Sequence, residues 1–302
     1  MNPVDYPPPR QRGLTVHTGL IILLSILAAV FAWLASRLEI GPLFTLFLLL
    51  AVSAFVPLPV LAYRLYALQR GNYSLDRDKL TITWGLRVER IPVSDIEWVR
   101  PLASLAGPIP LPVLRLPGAV LGHRRSPDLG PVEYIASDVK SLLLVATPRQ
   151  VFAISPEDAS NFMFNIQRSI EMGSLSPAAP ESVYPSFVVG LAWGSLMVRY
   201  LWLANLFLNI GLLAWVSLMI PSLGRVPLGF LPSGAPNEPV AAAGLILLPA
   251  VSIFMSLLGW IAGLVFYRRP DQRLLARIVW VSSVISTLLF LVATLFAVTT
   301  PA

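Results

Sequence analysis

Long apolar runs alternate with a charged block along this chain, and the two kinds of stretch call for different structures. Five runs, Thr18–Ser36, Ile40–Tyr63, Tyr200–Ile220, Ala241–Tyr267 and Ile278–Val298, contain no Lys, Arg, Asp or Glu. About 20 residues of helix cross the hydrocarbon core of a bilayer. A buried core helix of a water-soluble protein rarely stays apolar on all faces for so long. The pattern therefore predicts five transmembrane helices. The first run exceeds the roughly 7–15 apolar residues of a signal peptide and is followed by Arg37 and Leu38 rather than a small-residue cleavage site, so it reads as an anchor. The second begins four residues later, which predicts a tight helical hairpin.

Between the second and third runs the period changes. Tyr73-Ser74-Leu75, the turn Asp76-Arg77-Asp78, then Leu80, Ile82 and Trp84 alternating with Thr81 and Thr83 read as half-buried strands. Gly85 marks a tight turn, and Leu86, Val88 and Arg90 continue the meander, which Pro92 ends. Further strands are predicted at Glu97–Val99, Val132–Ala136, Leu142–Ala146 and Val151–Ile154, with a long Pro-rich excursion from Pro101 to Pro131. A helix closes the block: Ser155 is its expected N-cap, Pro156 its first residue, Phe162, Ile166 and Ile170 its apolar face and Gly173 its stop. Phe187–Ile220 is 34 residues, about 51 Å as helix and too long for one upright span. An interfacial segment containing Trp193, a turn near Arg199 and then the span are expected.

Composition sharpens this picture. Of 302 residues, 56% are hydrophobic and 13% charged, and the mean hydropathy is +0.72; soluble domains carry about 25% charged residues. A fully soluble enzyme, a disordered chain and a charged-surface nucleic-acid binder are excluded. There is no Cys, and the two His, His17 and His123, cannot build a metal cluster. The net charge is +6. The block Arg64–Ser186 holds 13 Lys+Arg and 12 Asp+Glu, as a water-facing insertion would. Arg10, Arg12, Arg64, Arg70, Arg199, Arg268, Arg269, Arg273 and Arg277 flank one set of span ends, against Arg37 and Arg225 on the other. This bias places the N-terminus and the inserted block in the cytoplasm and the C-terminus outside.

Tyr73-Ser74-Leu75…Leu80-Thr81-Ile82 with Ile91-Pro92…Asp95-Ile96, then Leu116-Pro117-Gly118, Gly122 and Gly130-Pro131-Val132-Glu133-Tyr134, then Ile154-Ser155-Pro156-Glu157-Asp158 with Phe162, resemble in order and spacing a bacterial pleckstrin-homology (PH) domain. The resemblance implies seven strands forming a strongly bent sheet, a capping C-terminal helix and no catalysis. The fold class expected is an α+β membrane protein: residues 1–70 as tail and helical hairpin, 71–173 as a PH-like barrel or sandwich, and 174–302 as linker, interfacial segment and three spans. The first hairpin loop, Asp76-Arg77-Asp78-Lys79, carries two charges of each sign, unlike the cationic loop that holds phosphoinositides in other PH domains. The loop Arg225-Val226-Pro227-Leu228-Gly229-Phe230 resembles one in a bacterial membrane family that has His at the Gly229 place.

Arg115, His123, Arg124 and Arg125 are candidates for contact with an anionic lipid or a partner, the alternative being a solvated loop. Asn205 and Asn209, one helical turn apart, could line a polar path or join helices by hydrogen bonds, and Gly259-x-x-x-Gly263 allows close helix approach within the chain or between copies. No catalytic residue, cofactor or metal is expected. Membrane lipids and a protein partner or a second copy are the expected partners, with no nucleic acid. The functional expectation is a non-enzymatic membrane protein presenting an interaction module; the alternative is a transporter or channel component with a regulatory PH-like domain.

Overall fold

The computed structural model describes residues 3–104, 109–112, 116–173, 180–183, 188–229 and 237–300. The chain divides into two compact units, Met1–Ile26 with Ala54–Pro185, and Leu27–Ser53 with Ser186–Ala302. In chain order the elements are β1 (Val4–Tyr6), α1 (Gln11–Ser36), α2 (Pro42–Phe55), α3 (Leu58–Arg70), β2 (Asn72–Leu75), β3 (Lys79–Trp84), β4 (Arg87–Pro92), β5 (Trp98–Pro101), β6 (Val120–Ser126), β7 (Gly130–Ala136), β8 (Leu143–Ala146), β9 (Val151–Ile154), α4 (Ala159–Met172), β10 (Glu181–Val183), α5 (Val188–Trp193), α6 (Leu196–Met219), α7 (Leu247–Tyr267) and α8 (Arg273–Thr299).

The first unit holds two five-stranded sheets. One runs β1-β2-β3-β4-β10 and is antiparallel throughout. The other runs β5-β8-β9-β7-β6, with β7 and β9 parallel. Alternation in β3 buries Leu80, Ile82 and Trp84 while Thr81 and Thr83 face out. These side chains join Tyr73, Ile91, Leu143, Val145, Phe152 and Ile154 in one core, against which α4 lays Phe162 and Ile166. Gly85, at φ +61°, is the first of two residues joining Trp84 to Arg87, the place where a tight hairpin requires positive φ.

Several local readings change. The Pro101–Pro131 excursion contains β6, paired with β7 along its whole length. As an edge strand, β6 lacks the alternating apolar pattern that betrays a strand. Within β4, Glu89 and Ile91 are buried and Val88 is only partly so. The N-cap of α4 is Asp158, whose carboxylate accepts from the Asn161 N–H at 2.9 Å. Ser155 is fully buried instead, its hydroxyl accepting from the Ser137 N–H at 2.8 Å. The sheet also reaches beyond residues 71–173, because β1 pairs with β2 and β10 with β4. Both are three-residue strands whose only signal is the edge they cover.

Five helical stretches are long and apolar enough to cross a membrane: Gln11–Ser36, Pro42–Arg70, Leu196–Ser222, Ala242–Tyr267 and Pro270–Thr299. The second is interrupted by the turn at Val56–Pro57. Before the third, the break falls at Gly194–Ser195, between α5 and α6, so Arg199 lies inside α6 rather than at a turn. In the second unit α6, α7 and α8 pack together, and the Thr45 and Ser217 hydroxyls hydrogen-bond α2 to α6.

Tyr73 tests the core of the first unit. Its fully buried hydroxyl donates to the Ile135 carbonyl at 2.8 Å and accepts from the Ser155 N–H at 3.2 Å. Tyr73→Phe leaves both backbone groups unpaired and is expected to cost about 1–3 kcal/mol of this unit's stability, read by denaturant unfolding. Burial raises the Tyr73 phenol well above its ordinary range. The unfolded chain ionises first, so stability is intact below about pH 10 and falls as pH rises above it. Tyr73→Phe should flatten that alkaline slope.

Candidate functional site

Glu89 and Ile91 share the inward phase of β4, so a carboxylate takes a place that alternation reserves for an apolar side chain. Glu89 is only 5% exposed. Arg87, two residues earlier on the same face, answers it: Nε and Nη2 donate to Glu89 Oε1 at 2.8 and 2.6 Å, and Nη1 donates to Glu133 Oε1 on β7 at 2.6 Å. Gln150 Nε2 donates to Glu133 Oε2 at 3.0 Å, and the Ser182 hydroxyl on β10 donates to Glu89 Oε1 at 2.7 Å. Burial pulls the Arg87 guanidinium down, but hydrogen bonds and charge from Glu133 and Glu89 outweigh it and hold it above its ordinary range. The Arg87 cation is therefore permanent.

The cluster floors a cleft of about 550 Å³ between the β4–β10 edge and the β8–β9 turn. Arg90 and Glu181 pair across its rim. Arg149, exposed on the turn, makes no hydrogen bond or ion pair among the described residues, and Asp95 stands on the opposite side of the charge balance. The lining thus carries charges of both signs, with the buried side chains of Ile91 and Phe152 beneath them. Among the described residues no group of three His, Cys, Asp or Glu could hold a metal ion. His17 is buried and bonded through Nδ1 to the Gly13 carbonyl at 2.8 Å.

In the helical unit Asn205 and Asn209 meet the hydroxyls of α7 and α8. Asn209 Nδ2 lies within donating distance of Asn205 Oδ1 (3.1 Å), Ser256 Oγ (3.0 Å) and Thr287 Oγ1 (3.2 Å). Ser252 donates to Asn209 Oδ1 at 2.8 Å and Thr287 to Asn205 Oδ1 at 2.9 Å. The Asn209 amide thus joins α6 to both α7 and α8. One turn further along α7, a Cβ at Gly259 would collide with Ser283, and one at Gly263 with the Trp280 indole. Ser252, Ser256, Gly259 and Gly263 form one face of α7, and α8 fills it.

Comparison with protein families matches residues 71–170 to the bacterial PH domain. This segment is similar to the bacterial PH domain. No curated protein and no solved structure matches the chain. The matched residues of the PH domain hold β2–β9, eight strands where seven were implied, because the stretch read as a loop forms β6. β1 and β10 lie outside the match and complete its first sheet.

Arg115 lies outside the described residues. His123, Arg124 and Arg125 sit on β6 rather than in a loop, opposite Glu133, Val132 and Pro131. Successive strand residues point to opposite faces, so His123 and Arg125 are exposed together and Arg124 is set apart from them. None of the three lines the cleft. Arg87, Glu89, Glu133 and Arg149 escape a reading of the sequence that takes each charge singly; the available signal was Arg-x-Glu on a strand whose other inward positions are apolar.

Two substitutions test these sites. Arg87→Leu strands two carboxylates and should destabilise the PH domain by about 3–5 kcal/mol in denaturant melts. Asn209→Leu removes the central donor of the helix cluster and should cost about 1–2 kcal/mol of helix-bundle stability in detergent unfolding.

Proposed function

We propose that this chain is a non-enzymatic integral membrane protein of the bacterial cell membrane whose PH domain is an interaction module, docking a protein segment in the cleft beside β10. The five apolar helices and the PH domain fit a membrane protein carrying such a module. The observation that carries the docking reading is the cleft itself: Arg87 is committed to Glu89 and Glu133 and Arg90 to Glu181, while Arg149 remains open to a partner. A catalytic site needs a titratable group poised to exchange a proton, and the ion cluster instead commits its one cation to two carboxylates. The transport alternative draws no support from the helix cluster, whose polar atoms are spent on one another.

The arginine distribution supports a cytoplasmic N-terminus and PH domain and an external C-terminus. In this arrangement the module samples cytoplasmic proteins and the adjoining membrane surface. The mixed charge of Asp76–Lys79 and the separation of Arg124 from His123 and Arg125 support protein over lipid as its principal ligand.

Charge reversal at Arg149 tests the reading without touching the core. Intact chain and Arg149→Glu are compared by cross-linking and affinity capture from native membranes, with denaturant melts confirming equal stability. Loss of at least one partner in the variant, by tenfold or more (about 1.4 kcal/mol), is expected. An identical partner set would contradict docking at this cleft.

A further inference from the structure

The helical unit gathers five arginines at one end, with one carboxylate beside them. Val198 on α6, Tyr267 on α7 and Ala276 and Trp280 on α8 pack in one cluster, which brings Arg199, Arg268, Arg269, Arg273 and Arg277 to the same end of the bundle. Of the unit's three carboxylates, Asp271 alone lies in this region; Glu39 and Glu238 belong to connections at the other end of the helices. Among the described residues none of the five arginines forms a salt bridge; Arg199 and Arg273 lie over the rings of Tyr200 and Tyr267.

Two donors at this end are buried without an acceptor. Arg277 Nε is one, on a side chain that makes no hydrogen bond among the described residues, and Trp202 Nε1 is the other. Trp202 packs against Trp193, Trp260 and Trp280 at centroid distances of 6.0, 5.6 and 5.2 Å. Arg277 precedes Trp280 by three residues, one helical turn on the same face. A buried N–H with no acceptor is costly in apolar surroundings, and a guanidinium asks for a planar, acceptor-rich anion. Leu274 (67% exposed), Leu275 and Ile278 flank Arg277 on α8, and Met197 and Tyr200 are exposed on α6. An anion here would thus stand beside bare hydrocarbon-facing surface, which fits acyl chains and has no use in binding a soluble ion.

We propose that this end of α6–α8 binds the phosphate headgroup of an anionic phospholipid, with Arg277 as a principal donor. The inference rests on the membrane reading, and incorporation of the chain into phosphatidylcholine nanodiscs reports on that reading separately. Full-length protein in detergent is titrated with phosphatidylglycerol or phosphatidylcholine, and retained lipid is counted by native mass spectrometry. Phosphatidylglycerol should be retained preferentially. Arg277→Gln should weaken its retention about fivefold, the effect of one arginine at an anionic surface, and Arg225→Gln at the other end should leave it unchanged. Should Arg277→Gln lose its thermal transition, Arg277→Lys, which keeps the charge but loses the planar fork, should still lower retention. Equal retention of the two lipids, or retention unchanged by either Arg277 substitution, would overturn the proposal. Displacement of phosphatidylglycerol by excess inorganic phosphate would overturn it in favour of a soluble-anion site.

Discussion

Arg87 ties the two sheets of the PH domain together where their edges would otherwise part. Its guanidinium leaves β4 in the first sheet and reaches Glu133 on β7 in the second, while holding Glu89 on its own strand. Gln150 and Ser182 extend the same network to the β8–β9 turn and to β10. Charges this far from water are tolerated only in good geometry with their remaining lone pairs engaged, and here each carboxylate takes further hydrogen bonds. The same cluster lines the cleft together with Arg90, Arg149 and Glu181. Its location beside β10 also means that a segment outside the matched domain helps to shape the module's surface.

The helices solve a related problem without charge. Between apolar helices there is little hydrophobic force to drive association, so packing and hydrogen bonds must supply it. Small residues at Ser252, Ser256, Gly259 and Gly263 bring α7 against α8, and the Asn209 amide supplies the polar link to α6. The same groups that suggest a pathway in sequence hydrogen-bond to one another across the three helices.

Legibility in the sequence followed the length and strength of each signal. The apolar runs announced all five long helices, and β3 was readable because Leu80, Ile82 and Trp84 keep strict alternation. β6 was not, because an edge strand bearing His123, Arg124 and Arg125 has no apolar face to advertise. β1 and β10 are too short to carry a pattern and owe their form to the edges of β2 and β4. At the start of α4, Ser155 and Asp158 are equally good caps by type; burial of Ser155 against Ser137 decides between them, and burial is a property of the fold. The helix residues Asn205, Asn209, Gly259 and Gly263 were visible as polar or small exceptions in apolar runs. The ion cluster required knowing which face of β4 turns inward.

Cysteine accessibility tests the account most directly, since the chain has no Cys of its own and each introduced thiol is unique. Asp128 lies exposed in the β6–β7 turn of the PH domain, and Glu238 lies exposed between α6 and α7. Asp128→Cys and Glu238→Cys are expressed separately in bacterial cells and treated with a membrane-impermeant maleimide. With the PH-like domain in the cytoplasm, the thiol at position 238 reacts in intact cells and the thiol at position 128 only after permeabilisation. Labelling of both from the same side, or in the reverse order, would contradict a PH domain held in the cytoplasm by membrane-spanning helices.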